Sequence, residues 1–403
     1  MQDTMKQLCQ ELEGQLIHNI LPFWMEHTVD ERYGGFAGEV SSDGTMREKA
    51  DKGLVLHARI LWTFSSACRI TGDVTYAAYM ERAYAYLTAH FTDSQQGGML
   101  WLLACDGSPK EDQKQVHGQA FAIYGLAEYV RATGSKTALE QAKALYRLLE
   151  KHAYDEAYGG YMERYDRDWC QAHGIELGEG NRLASKSMNT QLHMLEAYTC
   201  LLRVWEDSGL RRKLAELIEI TLSHIVNRST GHFHRFFHRN WQPLSTAISF
   251  GHDIEGSWLL WEAARVLGDE KLLARTRPVC IQLAAAVYEE ALQPDGSLWY
   301  ERDGEHIAKH KEWWLQAEAI VGFMNAYELT RESRYLHAAL RSWTYTKDNM
   351  IDHELGEWHW KVDEQGNVDR TLPKAGVWKC PYHNGRACME LMERVKVSEG
   401  RTP

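Results

Sequence analysis

Six times along the chain a glycine turn runs into a short aromatic segment: YGGFAGEV at Gly35, QGGMLWLL at Gly98, YGGYMERY at Gly160, TGHFHRFF at Gly231, DGSLWYER at Gly296 and LGEWHWKV at Gly356. Successive glycines stand 63, 62, 71, 65 and 60 residues apart. A spacing this regular means that one supersecondary unit is copied six times, and any fold for the chain must accommodate that unit.

Two helical patterns lie between successive turns. The first is apolar nearly all round: Lys52 to Thr71, His117 to Thr133, Ser187 to Asp207, His252 to Gly268, Trp313 to Thr330 and Pro381 to Val397. The second is amphipathic and follows a Gly-Asp or similar break, as in TGDVTYAAYMERAYAYLTAHF. Helices of the first kind are buried and those of the second lie outside them. Only five outer helices follow the six inner ones, but the N-terminal segment, with Leu8, Leu12, Leu16 and Ile20 at helical spacing, supplies a sixth. That pairing favours a closed ring over an open solenoid, which would need a polar cap at each end. The expected fold is all-α: an (α/α)6 barrel of six inner and six outer helices with short β-hairpins at the connections, one domain over residues 1–403. The open solenoid is the alternative.

The net charge of -11, with no long basic run, argues against nucleic acid or an anionic membrane as partner, since either needs cations against its phosphates. No run of about 18 apolar residues offers a membrane span. The charged, amphipathic N-terminal segment does not read as a signal peptide. Eight cysteines without CxxC spacing fit a reduced, cytoplasmic setting. Fifteen Trp and nineteen Tyr supply faces on which sugar rings stack, or else a wide aromatic core. The expected partner is a small-molecule sugar, and the oligomeric state stays open.

In such a ring the inner helices run one way, so their N-termini line one pocket. Those starts carry Arg59; His117 and Gln119; Asn189 and His193; His252 and Glu255; Trp313, Trp314, Gln316 and Glu318; and Trp378, His383 and Arg386. Capping explains Asn or Asp at such places, but histidine is not a favoured cap. Spacing puts His252 with Glu255, His383 with Arg386, and Asn189 with His193 on shared faces. A carboxylate beside His252 would fix its tautomer and raise its basicity. A metal is the competing reading, and HFHRFFH (His232, His234, His238) has the better spacing for one. No carboxylate or Cys accompanies those histidines in sequence, so three surface imidazoles on a hairpin are expected and no metal site is assigned. Nor does a Gly-rich loop follow a strand as a dinucleotide needs, so no cofactor is expected. Histidines, an arginine and Trp walls suit proton transfer next to a sugar aldehyde, with cationic support for the enediolate. Activity should then fall below about pH 6, as ordinary imidazoles protonate.

The stretches KSMNTQLHMLEAY, SFGHDIEGSWLL, WWLQAEAIVGFMNAY and WKCPYHNGRACME resemble the corresponding motifs of cellobiose 2-epimerases, within the N-acylglucosamine 2-epimerase superfamily. The likeness runs from Ile20 to the last helix. It implies an (α/α)6 barrel that converts the reducing-end glucose of a β-1,4-linked disaccharide to mannose without metal or nucleotide, acting on cellobiose, with lactose and mannobiose as further candidates. Carried over, it makes His252 and His383 the acid/base pair, His193 the aid to ring opening, and Arg59 the support of the enediolate. It likewise makes Asn189, Glu255 and Glu318 sugar or histidine contacts, and Trp314 and Trp378 the stacking surfaces. Arg386 receives no role. His117 departs from the Tyr common in the family, which bears on substrate choice. Epimerisation of free mannose, aldose–ketose isomerisation, an (α/α)6 hydrolase acting through Glu255 and Glu318, and a non-catalytic sugar sensor are the other readings.

Overall fold

The computed structural model describes residues 2–176 and 183–398. In chain order their helices are α1 (Gln2–Gln15, continuing through Leu16–Ile20 and Leu21–His27), α2 (Leu54–Thr71), α3 (Val74–Tyr76, Ala77–Tyr86 and Leu87–Phe91) and α4 (Val116–Thr133). Then come α5 (Lys136–His152), α6 (Met188–Leu202), α7 (Ser208–Ile220 and Thr221–Ile225), α8 (Phe250–Leu267) and α9 (Glu270–Glu290). The last three are α10 (Trp313–Thr330), α11 (Ser333–Asn349) and α12 (Tyr382–Ser398). Even-numbered helices are the inner ones; α4, for example, is buried without interruption from Gly118 to Val130. In α1, Pro22 stands where the helix resumes after a widened π turn, since proline cannot donate the bond that a regular turn requires.

Inner-to-outer turns are punctuated alike. Gly72, Gly134 and Gly268 end α2, α4 and α8 in the left-handed region, and Asp73, Ser135 and Asp269 then cap the outer helices with their side chains. The expected inner helix from Ser187 to Asp207 is shorter in the structure and stops at Leu202. The carboxylate of Asp207 accepts from Gly209 and Leu210 N–H and so caps α7 instead of extending α6.

Neighbouring inner helices pack in sequence from α2 round to α12, and α12 packs back on α2, while α1 covers α12. The connections close too. The strand entering each inner helix pairs with the aromatic segment of the next repeat: Lys52–Gly53 with Leu102–Leu103, Lys114–Gln115 with Arg164–Tyr165, and so on. In the last of these contacts Val40 N–H donates to the Ala375 carbonyl at 3.0 Å, joining the first repeat to the sixth. The ring is closed, and the open solenoid is excluded. None of the helices among the described residues is long and apolar enough to cross a membrane.

All six repeat glycines have positive φ, from +64° at Gly35 to +93° at Gly296, the region where a side chain is strained. One inner-helix side chain holds the segment after each turn. Gln119 accepts from Met99 N–H (2.7 Å) and donates to its carbonyl (2.9 Å); Gln191 does the same with Tyr161, and Gln316 with Leu298. His57, Asp253 and Asn384 occupy the same register in the other three helices, bonding Phe36, Phe233 and Glu357. Gln119 and Gln316, placed in the pocket by sequence, therefore hold the hairpins. Buried lysines complete the joints, with Lys52 on Asp30 (2.7 Å), Lys114 on Asp93 (2.9 Å) and Lys186 on Asp155 (2.8 Å).

Candidate active site

These braces give all six inner helices a common register. Two residues beyond them stand Arg59, Phe121, His193, Glu255, Glu318 and Arg386, one per helix and five of them ionisable. The layer is contiguous in two stretches. The guanidinium of Arg59 lies over the Phe121 ring at 4.2 Å, and that ring meets His193 at 4.5 Å. Across the layer, Nη2 of Arg386 donates to Glu255 and to Glu318 at 2.6 Å each. Its Nη1 bonds Glu196 and the Tyr382 hydroxyl, and that hydroxyl also donates to Glu196. Burial pushes the carboxyls of Glu196 and Glu318 above their ordinary values, while Arg386 draws them back down.

One residue before the brace stand His252 and His383, at the same place on α8 and α12. Nδ1 of His383 donates to Glu318 at 2.7 Å and stands 3.8 Å from Glu255, which leaves Nε2 proton-free. His252 differs. Its Nε2 donates to Oδ1 of Asn189 at 3.2 Å, and its Nδ1 accepts from the Ser249 hydroxyl at 2.7 Å. The ring of Trp314 lies 4.9 Å from His252 and 5.5 Å from His383, and its Nε1 donates to Glu312 at 3.0 Å. His193 gives its Nδ1 to Glu196 at 3.1 Å. Burial pushes His252, His193 and His117 down to about 3 and lowers His383 as well. All four are neutral at pH 7, and an acid limb at pH 6 is not expected of them.

Several expectations change. Glu255, paired with His252 by spacing, serves Arg386 and His383 instead. Of the four histidines at inner-helix starts only His252 and His383 share a register, while His117 lies one residue earlier and His193 three later. His232 is not on the surface. It is buried against Asp253 (2.8 Å) and Glu290 (3.1 Å), carboxylates remote from it in sequence. Trp313 packs on Trp360 at 5.1 Å, with Lys379 over its ring, and is 3% exposed. Trp378 is 45% exposed, stacks on His117 at 6.0 Å and stands 5.9 Å from Trp101 at the mouth. Sequence reasoning passed over Glu196, Tyr382 and Trp101. The position of Glu196, one turn past His193 on the same face, is the signal that could have found it.

Donor atoms of Glu255, Glu318 and His383 lie within 4.8 Å of one another, a cluster that could hold a cation, but the Arg386 guanidinium already supplies the positive charge between the two carboxylates. That separation is also short of the roughly 6.5–9.5 Å an inverting glycosidase keeps between its acids. Both glutamates are buried, and each accepts from Arg386 at 2.6 Å.

A barrel with paired imidazoles at its mouth places the chain in a class. Residues 34–387 match the model of the N-acylglucosamine 2-epimerase (GlcNAc 2-epimerase) family, and the chain belongs to that family of carbohydrate epimerases. It is 43% identical to the cellobiose 2-epimerase of Bacteroides fragilis over 387 residues, covering 96% of this chain and 98% of that one. The structure of cellobiose 2-epimerase from Bacillus thermoamylovorans superposes with a TM-score of 0.92 at 38% identity, over 96% of this chain and all of that one. A D-mannose isomerase structure, at 22% identity and TM-score 0.84 over 96% of this chain and 98% of its own, shares the fold.

Proposed function

We propose that this chain is a cofactor-independent sugar 2-epimerase that interconverts glucose and mannose at the reducing end of β-1,4-linked disaccharides, cellobiose first. The observation that carries this is the matched pair His252 and His383, at one register on two helices and flanking one Trp314 ring. In the glucose-to-mannose direction Nε2 of His383 takes the C2 proton of the open-chain sugar, and the electron pair of the C–H bond becomes the enediolate. The guanidinium of Arg59, whose Nε has no protein partner, faces the developing oxygen charge. That charge raises the proton affinity of the neighbouring imidazoles while it lasts, so His252 takes up a proton from solvent, gives one to the opposite face of C2 and ends neutral, while His383 releases the abstracted proton to solvent. Asn189 holds His252, and His193, backed by Glu196, assists ring opening. Trp378, His117 and Trp101 receive the second sugar ring. The relatives named for cellobiose support the substrate, and eight free thiols support a cytoplasmic setting.

The test is metal-stripped protein with cellobiose in D2O, followed by proton NMR, with mannose in a parallel tube. Glucosyl-mannose deuterated at C2 is expected, and His383→Gln should lower its formation at least about a thousandfold. Free glucose would mean hydrolysis and overturn the reading; turnover of mannose alone would move the substrate to a monosaccharide.

A further inference from the structure

The fourth repeat braces its hairpin differently from the second, third and fifth. Where Gln119, Gln191 and Gln316 each engage both backbone groups of the residue they hold, Asp253 can only accept. One of its oxygens takes Phe233 N–H at 2.8 Å, and the other takes Nδ1–H of His232 at 2.8 Å. His232 stands where those three repeats have Gly98, Gly160 and Ser297. Its Nε2 lies 3.1 Å from Oε1 of Glu290 on α9, and Oε2 of Glu290 lies 2.9 Å from Nη2 of Arg302. Asp253 and His232 are buried, whereas the side chains of Glu290 and Arg302 are 33% and 32% exposed. Charges of alternating sign thus run from the first turn of α8 to solvent.

This chain of charges meets His252 from two sides. Asp253 is the next residue on α8. Arg302 pairs in the ladder with Ile248 and Glu301 with Ser249, and the Ser249 hydroxyl bonds Nδ1 of His252. A buried Asp253 carboxylate without a cation would be costly, and the imidazolium of His232 is its neutralising partner.

We propose that Asp253, His232 and Glu290 form a positioning device for His252, in which an imidazolium between two carboxylates fixes the first turn of α8 and release of its proton past Glu290 loosens that turn. This rests on the epimerase reading of His252. The groups facing His232 are Asp253 from α8, Glu290 from α9 and the ring edge of Phe250 at 5.9 Å; Arg302 stands behind Glu290, and Arg235 lies near Asp253. Burial alone would push His232 down, yet the bond to Asp253 and the nearby Glu290 carboxylate hold it above the ordinary imidazole range. His252, beside Asp253, is pushed the other way. The first turn of α8 therefore carries a neutral imidazole and rests on a charged one. When His232 loses its proton, its bare Nε2 confronts the Glu290 carboxylate and Asp253 keeps an uncompensated charge, so kcat falls on the alkaline side while KM holds.

The test compares wild type with Glu290→Gln and with the double variant His232→Ser, Asp253→Gln, which installs the Ser297 and Gln316 brace of the fifth repeat. Glu290→Gln should keep kcat at pH 6 and move the alkaline limb down by about one pH unit. The double variant should keep its melting temperature and KM, lose kcat about tenfold and lose the alkaline limb. Wild-type kcat and limb in the double variant, or an unmoved limb in Glu290→Gln, would overturn the proposal; if the double variant does not fold, Glu290→Gln decides alone. Nitrogen-15 NMR of the histidine rings separates this from the function itself. The His252 signals should shift at the pH where His232 titrates, with or without turnover of cellobiose, and an indifferent His252 would overturn the positioning role.

Discussion

Arg386 neutralises three buried carboxylates from three different helices, Glu196, Glu255 and Glu318, and through Glu318 it sets the tautomer of His383. Replacing it with Gln leaves those charges facing one another without a cation. Arg386→Gln should cost about 3–5 kcal/mol in denaturant unfolding and abolish turnover, since breaking a buried pair exposes its desolvation penalty. The buried histidines make a second prediction. His117, His193 and His252, at about 3, and His57, at about 4, are neutral in the fold and free to protonate once unfolded. Unfolded chains therefore bind more protons below 6.5. Stability should be full above that pH and fall towards pH 3–4 by about 1.4 kcal/mol per histidine per pH unit, checked by urea midpoints across that range. The histidines, Arg59 and the two glutamates could be found from sequence because each sits near an inner-helix start. Their partners could not, since the bond from Arg386 to Glu196 spans 190 positions and no local spacing announces it.

At the scale of elements, the repeat was legible because glycine turns and Gly-Asp breaks are written in local chemistry, down to the caps Asp73, Ser135 and Asp269. What stayed hidden was the direction of the polar residues at each helix start. Gln119 and His117 are two apart, yet one grips a hairpin and the other meets Trp378, and only the tertiary register separates those fates. Three glutamines in one register are the clue to it. Gln191→Leu should strand the N–H and carbonyl of Tyr161 inside the protein and cost about 1–3 kcal/mol. Hydrogen exchange should then quicken in the hairpin around Tyr161 while the far end of α6 stays protected.

For the molecule as a whole, closure was inferred from counting helices, and the contacts that enforce it, α12 on α2 and Val40 on Ala375, lie at opposite ends of the sequence. We propose that the ring behaves as one domain, so calorimetry should show a single unfolding transition. Removing residues 1–27 would bare the face of α12 that α1 covers, and the shortened protein should aggregate and lose activity even though α1 holds none of the proposed site residues. The order of the chain adds a consequence in time. During synthesis five of the six repeats emerge while the ring still lacks its last wall, and that wall, α12, carries both His383 and Arg386. Until it arrives, Glu255 and Glu318 have no counter-charge and α2 has no neighbour on one side. A ribosome that stops short therefore releases a protein without His383 and Arg386 and with an open apolar flank for chaperones or proteases to find.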